Sequence, residues 1–223
     1  PISDMPETAN GVTMASTRQH GFDAERVLKL FCSCRGEDDI ISVNCYIDAY
    51  EELCKLFRLF GTIFSFVTSD VEEKIEILRD YHSQQPQNYQ TVQSMLEYEV
   101  SNDLTNSRKK PSGARTLLRL HRAMEFISTF LLKLKDCDNS AKFSSCTGEA
   151  YDNTLAKHHP WLIRKAVQVA LYMLPTRNDL LKKMGVEDSE KGMQAMSDLI
   201  AELNIIFLIV EKLYEKDDLL QLP

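Results

Sequence analysis

Three arginines of the segment RTLLRLHRAM, residues 115–124, have the types and spacing of a chemical site. Arg115, Arg119 and Arg122 recur at intervals of four and three residues, so on an α-helix they share one face. Mostly leucines separate them, and no nearby run of acidic residues answers their charge. Such a stripe is commonly the solvated side of an amphipathic helix, and the alternative is a local binding site for an anion.

A second candidate group lies in SFVTSDVEEK, residues 65–74. Asp70 and Lys74 stand one helical turn apart there, directly after the aromatic residues Phe64 and Phe66. The simplest interpretation is a surface ion pair, which stabilises a helix by only a few tenths of a kcal/mol. The other interpretation places both groups at the mouth of an apolar pocket.

The segment AKHHPWLIRK, residues 156–165, supplies the third group. Two histidines, the second of them His159, precede Pro160, a residue suited to the first turn of a helix. Trp161 is the only tryptophan in the chain. A histidine near a helix start is usually a structural hydrogen-bonding group, although a neutral imidazole can also donate to a ligand and accept from it.

The composition of the chain limits the functions in which these candidate groups can take part. The chain has 223 residues, of which 43% are hydrophobic, so it can bury a sizeable core. A net charge of -7 argues against nucleic-acid binding through a general basic field, so any anion site must be local. No run approaches about 18 uninterrupted apolar residues and no signal peptide is evident, so we expect a cytoplasmic protein.

The cysteines predict no disulfide framework. The chain contains six of them, too few for its length to form a disulfide scaffold, and their spacing is not that of a zinc site. They are Cys32, Cys34, Cys45, Cys54, Cys137 and Cys146. We therefore expect reduced thiols.

The elements that must position these groups are helices. Only eight glycines and seven prolines occur, and they separate long segments with a period of 3.6 residues. Helices are predicted at about 22–34, 42–60, 61–81, 87–104, 113–135, 146–157, 160–174, 177–184 and 189–216. Residues 1–20 show no apolar period and are expected to be disordered, and 21–223 are expected to form one domain.

Three of these segments are apolar around most of their circumference. They are LIAELNIIFLIVEKLY at 199–214, GTIFSFV at 61–67 and AVQVALYML at 166–174. A densely packed core explains them, and so does an apolar ligand pocket if polar groups converge at its mouth.

In their amino-acid sequences and in their order along the chain, the three candidate segments resemble a known family. SFVTSDVEEK, SGARTLLRLHRAMEF and AKHHPWLIRKAVQVALYMLPTR, with an LP ending after KLY, resemble the glycolipid transfer protein family, most closely its ceramide-1-phosphate branch. The resemblance covers roughly residues 22–223. It implies an all-α, two-layer sandwich of about eight helices that encloses an apolar lipid pocket and carries single sphingolipids between membranes without chemistry.

The resemblance also assigns roles to the candidate residues. Asp70 matches the aspartate that accepts from the sphingoid amide and hydroxyl, and His159 the histidine that donates to the acyl carbonyl. A buried amide needs both kinds of partner. Lys74, Arg115 and Arg119 match the cationic cluster that receives a phosphate.

One departure from the glycolipid-specific members indicates which head group is bound. Those members stack a sugar ring on a tryptophan at the position of Arg119, and a guanidinium suits phosphate oxygens instead. Trp161 matches a family tryptophan near the site and is expected to touch the bilayer interface. Arg122 is interpreted as a surface residue whose loss does little, and the basic loop Arg108–Lys110 is left without a role.

The predicted function is therefore transfer of ceramide-1-phosphate by a peripheral, transiently membrane-bound protein. We expect no metal, cofactor, nucleic-acid ligand or obligate protein partner. One alternative is transfer of neutral glycosphingolipids, and another is a lipid-modifying enzyme with His159 and Asp70 as base and orienting group. The sequence argues against the enzyme, because it contains no G-x-S-x-G or H-E-x-x-H motif and no evident nucleophile beside these two residues. A helical interaction module without a lipid is the remaining rival.

Overall fold

The computed structural model describes residues 21–107, 109–138, 143–186 and 189–223. Within these ranges the chain is helical and contains no β-strand, so the all-α prediction is confirmed. The helices are α1 (Ala24–Cys34), α2 (Val43–Leu59), α3 (Ser65–Gln84), α4 (Val92–Ser101), α5 (Gly113–Asp136), α6 (Phe143–Asn153), α7 (Trp161–Tyr172), α8 (Arg177–Lys183) and α9 (Glu190–Lys216). The predicted disorder of residues 1–20 lies outside the described residues.

Side-chain caps explain where several helices begin. The hydroxyl of Ser112 accepts from the Arg115 amide at the start of α5, and Ser42 and Ser189 cap α2 and α9 in the same way. At α4, Thr91 and Ser94 form a reciprocal capping box, which is why this helix starts later than its predicted residue 87.

The predicted helix at 146–157 is wrong at both ends. α6 begins at Phe143 and ends at Asn153, and a separate 3₁₀ turn, Leu155–His158, follows it. Between them Thr154 has a non-helical backbone (φ -120°, ψ -92°) and donates its hydroxyl to the Ala150 carbonyl. This break lets the chain turn back before α7.

Helix packing closes a ring in which α1 contacts α2, α2 contacts α3, α3 contacts α5, α5 contacts α9, and α9 returns to α1. α6 packs on α5 and carries α7 on its other side. Between α2, α3, α5 and α6 the core is an aromatic cluster with ring centroids 5.0–5.9 Å apart. Its members are Phe57, Phe60, Phe64, Phe130 and Phe143.

Two contacts fix the register of α3 against α5. The Tyr81 hydroxyl, near the end of α3, donates to the Pro111 carbonyl just before α5 (3.0 Å). Toward the other end, the ring centroids of Phe60 and Phe130 are 5.0 Å apart. The two helices are therefore antiparallel, and a rise of about 1.5 Å per residue brings Lys74 level with the middle of the arginine stripe.

The cysteine prediction is wrong for one pair. Cys137 and Cys146 form a disulfide that joins the end of α5 to α6. Cys32, Cys34, Cys45 and Cys54 are free thiols, as expected. Burial raises the pKa of Cys54 to about 12, so this thiol stays protonated at neutral pH.

α9 is long and apolar enough to span a membrane, although it contains no uninterrupted run of about 18 apolar residues. Its 27 residues include an 18-residue window of mean hydropathy 1.6. In the fold, α9 packs against α1 and α5, and its Glu202 carboxylate pairs with Arg35 (3.2 Å). Burial in the core accounts for part of its apolar character, since 44% of the window is buried, while Ile205 and Leu208 remain exposed.

Candidate functional site

The start of α5, which carries the arginine stripe, is held by a buried carboxylate. Glu99 of α4 is 1% exposed and accepts from the backbone amides of Gly113 (2.7 Å) and Ala114 (2.9 Å). The Tyr89 hydroxyl donates to the same carboxylate (2.9 Å). A Cβ on Gly113 would lie 2.7 Å from Met95 Sδ, so only glycine allows this approach. A negative charge at a helix N-terminus is favourable, which fixes the first turn of α5.

Arg115 is half-buried in this first turn. Its Nη1 donates to the Ser107 carbonyl (3.3 Å), while its buried Nε has no hydrogen-bond partner among the residues that the structure describes. The preceding loop therefore holds the guanidinium in place and leaves part of its donor capacity unused.

Arg119, one turn later, is exposed and makes no hydrogen bond or ion pair with the described part of the chain. Its five N–H donors are free to meet an anion from solvent. This exposure is compatible both with a solvated helix face and with an anion site, so the binding role of Arg115 and Arg119 stays a prediction.

Arg122 is not the plain surface residue that the sequence suggested. Its Nη2 donates to the carbonyls of Leu220 (2.8 Å) and Leu222 (3.1 Å), which lie in the segment after α9. Burial lowers the pKa of Arg122, and the nearby charge of Arg119 lowers it further. Arg122 therefore fastens the segment 217–223, called the C-terminal strap below, to α5.

Asp70 and Lys74 form the ion pair that the simplest interpretation predicts, but in an asymmetric setting. Lys74 Nζ lies 2.5 Å from Asp70 Oδ1, with the Lys74 side chain 11% exposed and that of Asp70 62% exposed. A largely buried ammonium beside an open carboxylate differs from a solvated surface pair, because its charge is less screened by water.

The charges of this pair influence the pKa of His159. Burial lowers the pKa of His159, the Asp70 charge raises it and the Lys74 charge lowers it. The imidazole is half-buried after the turn Leu155–His158, and its Nδ1 lies 2.8 Å from the hydroxyl of Tyr151 on α6. The half-buried imidazole, whose lowered pKa keeps it neutral at neutral pH, is thus electrostatically coupled to the Asp70–Lys74 pair of α3.

α7 begins beside this site and exposes much of its apolar surface. Trp161 is 65% exposed, Leu162 69% and Tyr172 75%. Arg164 and Lys165 on the same helix are also exposed. Pro160 immediately precedes the helix, close to its predicted first-turn position.

Sequence reasoning missed two polar groups near the stripe. Tyr151, fully buried, gave no signal because its partner His159 lies eight residues away across a turn. His121 of α5 is 1% exposed, stacks on Phe207 and pairs through Nε2 with Glu211 of α9 (2.5 Å). Its position inside RTLLRLHRAM was visible, but nothing in the sequence named its partner.

The basic loop and a surface cavity lie apart from this arrangement. Lys110 pairs with Asp80 (2.5 Å) and lies over the Tyr81 ring, while Arg108 is outside the described residues. A cavity of about 450 Å³ opens between the start of α1 and the α8–α9 connection, and its lining includes none of the candidate residues. We base no binding role on either feature.

The candidate residues have the chemistry needed to bind a ligand. Two arginines and a lysine can neutralise an anion, while a carboxylate and an imidazole can satisfy an amide. Within the described ranges, no group of three or more His, Cys, Asp or Glu side chains could hold a metal ion.

Comparison with known proteins identifies the family. The family profile of glycolipid transfer protein matches residues 41–186. The chain belongs to the glycolipid transfer protein family. Among curated members of the family, it is 39% identical to the ceramide-1-phosphate transfer protein of Danio rerio over 207 residues, covering 91% of this chain and 98% of that protein. The Homo sapiens protein of the same name is 34% identical over 208 residues, 91% and 97% of the two chains.

Solved structures of the family carry the same fold. The crystal structure of mouse ceramide-1-phosphate transfer protein in its apo form superposes with a TM-score of 0.84 at 35% identity, covering 91% of this chain and 100% of that one. The human protein in complex with 12:0 ceramide-1-phosphate also gives 0.84, at 34% identity over 91% and 100% of the chains. The predicted family and fold are confirmed.

Proposed function

We propose that this protein binds ceramide-1-phosphate and carries it between membranes without changing it. The observation that carries the proposal is Arg119, which has no polar partner among the described residues and lies one turn from the anchored Arg115. The register of α3 against α5 puts it at about the level of the buried Lys74. A phosphate there receives charge-assisted hydrogen bonds, each contributing about 1.5–3 kcal/mol. Transfer of ceramide-1-phosphate by the curated relatives supports the same assignment.

The amide of the lipid fits the remaining groups. In our proposal, the open carboxylate of Asp70 accepts from the sphingoid N–H and O–H, and His159 donates to the acyl carbonyl. Asp70 is already paired with Lys74 on one side, which leaves its second oxygen for the lipid. Without such partners an amide would be costly to bury.

The hydrocarbon chains of the lipid contribute little to selectivity. Burying a methylene contributes about 0.8 kcal/mol, but the donor bilayer already shelters the same group, so the gain nearly cancels on transfer. Selectivity must then come from the head group and amide. The chains are assigned to the apolar interior beside Phe60, Phe64 and Phe130, whose side chains would have to move apart.

Membrane contact is assigned to α7. Its exposed apolar side chains, with Arg164 and Lys165 beside them, have the composition of an interfacial helix. The contact is transient in this proposal, at the cytoplasmic face of membranes, and requires no metal, nucleotide or obligate protein partner.

A vesicle assay tests the proposal. Labelled ceramide-1-phosphate should move from donor to acceptor vesicles with its mass unchanged, and galactosylceramide should move poorly. Arg119→Leu should lower ceramide-1-phosphate transfer roughly a hundredfold, whereas Arg79→Leu, the same charge change at an exposed residue of α3, should lower it little. Equal transfer of galactosylceramide would refute the phosphate assignment, and protein-dependent appearance of ceramide would favour the enzyme alternative.

A further inference from the structure

The contact between Tyr151 and His159 raises a question about one proton. A neutral imidazole carries its hydrogen on either Nδ1 or Nε2, and only the protonated nitrogen can donate to a lipid carbonyl. The nitrogen that faces Tyr151 is Nδ1, 2.8 Å from the hydroxyl. Whichever of the two groups donates across this contact decides what Nε2 can do.

The surroundings of Tyr151 decide the direction of that hydrogen bond. Its side chain is fully buried and its ring packs edge-on against Phe126 (5.8 Å, 85°). No other hydrogen bond of the hydroxyl is found in the part of the chain that the structure describes. If His159 Nδ1 donated to it, the phenolic hydrogen would be buried without an acceptor, which is costly.

The protonation states allow the opposite arrangement. Burial raises the pKa of Tyr151 to about 12, so the phenol keeps its hydrogen at neutral pH. Burial also lowers the pKa of His159, which keeps the imidazole neutral. With the phenol donating to Nδ1, both groups are satisfied and the imidazole hydrogen lies on Nε2.

We infer that Tyr151 is a positioning residue that holds His159 in the Nε2–H tautomer and so makes it a donor for the acyl carbonyl. This inference rests on the proposed function for the identity of the ligand, but the tautomer itself is a property of the protein alone. In the other tautomer, Nε2 would present a lone pair to the carbonyl oxygen and repel it.

The experiment measures the tautomer and the affinity separately. Nitrogen-15 NMR of histidine-labelled protein, with the His159 signals assigned by their loss in His159→Leu, should show hydrogen on Nε2 and none on Nδ1 in the wild type. Tyr151→Phe should give a mixture of tautomers and bind short-chain ceramide-1-phosphate about tenfold more weakly. A wild-type protein with hydrogen on Nδ1 would overturn the inference, whether or not the variant folds.

A double-variant comparison separates positioning from general stability. In the His159→Leu background, Tyr151→Phe should weaken lipid binding no further, because its effect passes through His159. Tyr50→Phe is the matched control, since that hydroxyl is equally buried and donates to the Leu120 carbonyl. It should lower stability without altering the His159 signals. Independent losses from Tyr151→Phe and His159→Leu would contradict the inference, whereas an unaffected affinity in His159→Leu would instead contradict the proposed function.

Discussion

Arg115 and Arg119 are neighbours on one helix face, but their side chains are prepared differently for a phosphate. Arg115 is held by the Ser107 carbonyl and has already given up much of its rotamer freedom. Arg119 is exposed and loses up to about 2 kcal/mol of side-chain entropy when a ligand orders it. Arg115 therefore supplies a fixed point of the proposed site, and Arg119 supplies a cation that closes on the ligand.

The pKa values of the two adjacent histidines predict that the protein is sensitive to mild acid. Partial desolvation and the charges of Arg122 and Lys157 lower the pKa of His158 to about 4 although its side chain is exposed, and burial lowers the pKa of the half-buried His159. Both bind protons more readily when the chain unfolds, so their contribution to stability is present above about pH 6.5 and is lost as the pH falls toward 4.

We therefore expect the free energy of unfolding, measured by urea denaturation, to fall between pH 6.5 and 4. A variant carrying His158→Gln and His159→Gln should show a flatter dependence over this interval. If the variant and the wild type have equal slopes, these histidines are not responsible for the acid sensitivity.

At the scale of elements, the C-terminal strap is attached to α5 by Arg122. Leu219 is buried and its amide donates to the Tyr214 carbonyl (2.9 Å), while Arg122 binds the carbonyls of Leu220 and Leu222. The strap thus depends on one charged donor from a helix about 100 positions earlier in the sequence.

We expect Arg122→Met to lower the free energy of unfolding by about 1–3 kcal/mol, because a charged donor to two carbonyls is lost. Hydrogen exchange of the amides of residues 219–222 should accelerate. The matched control is Arg79→Met, whose guanidinium forms only ion pairs among exposed groups. Unchanged exchange in the strap would show that Arg122 does not hold it.

The same strap illustrates what the sequence could not supply. Helix periods and the positions of glycines and prolines are local signals, so they predicted most helices to within a few residues. Arg122 lay on the predicted stripe, but its partners are backbone carbonyls far along the chain, which carry no residue-type signal. The prediction of reduced thiols was wrong for Cys137 and Cys146 for a similar reason, because spacing alone does not show that a turn brings two thiols together.

The site residues were predicted from different kinds of signal. Asp70 and Lys74 were detectable as an i, i+4 pair, and the structure forms that pair. The roles of Asp70, Lys74, Arg115, Arg119 and His159 came from resemblance and remain predictions. Tyr151 was missed because a buried tyrosine in a helix is ordinarily part of the core.

At the scale of the whole molecule, the proposed membrane contact through the exposed face of α7 would give the protein a preferred side. Trp161 and Leu162 are largely exposed, and they follow His159 by two and three residues. If this face enters the bilayer interface, the amide-binding group of the proposed site meets the membrane directly. The molecule would then approach with α7 leading.

We expect Leu162→Ala to weaken binding to phospholipid vesicles about tenfold, since burying a leucine side chain contributes about 1.5–3 kcal/mol. Ile40→Ala, at an exposed aliphatic residue next to α2, is the control and should have little effect. Vesicle flotation measures both. Equal losses for the two variants would indicate that the protein has no preferred side.

α9 also bears on how the chain reaches its fold during synthesis. Its length and hydropathy suit a membrane span. Unlike a typical membrane-spanning helix, however, it carries acidic residues such as Glu202, the partner of Arg35. A charge near the centre of an inserting helix costs the insertion machinery about 2.5–3.5 kcal/mol. The carboxylate that fastens α9 to the end of α1 in the finished protein therefore also biases the nascent helix against entering the bilayers between which its lipid would move.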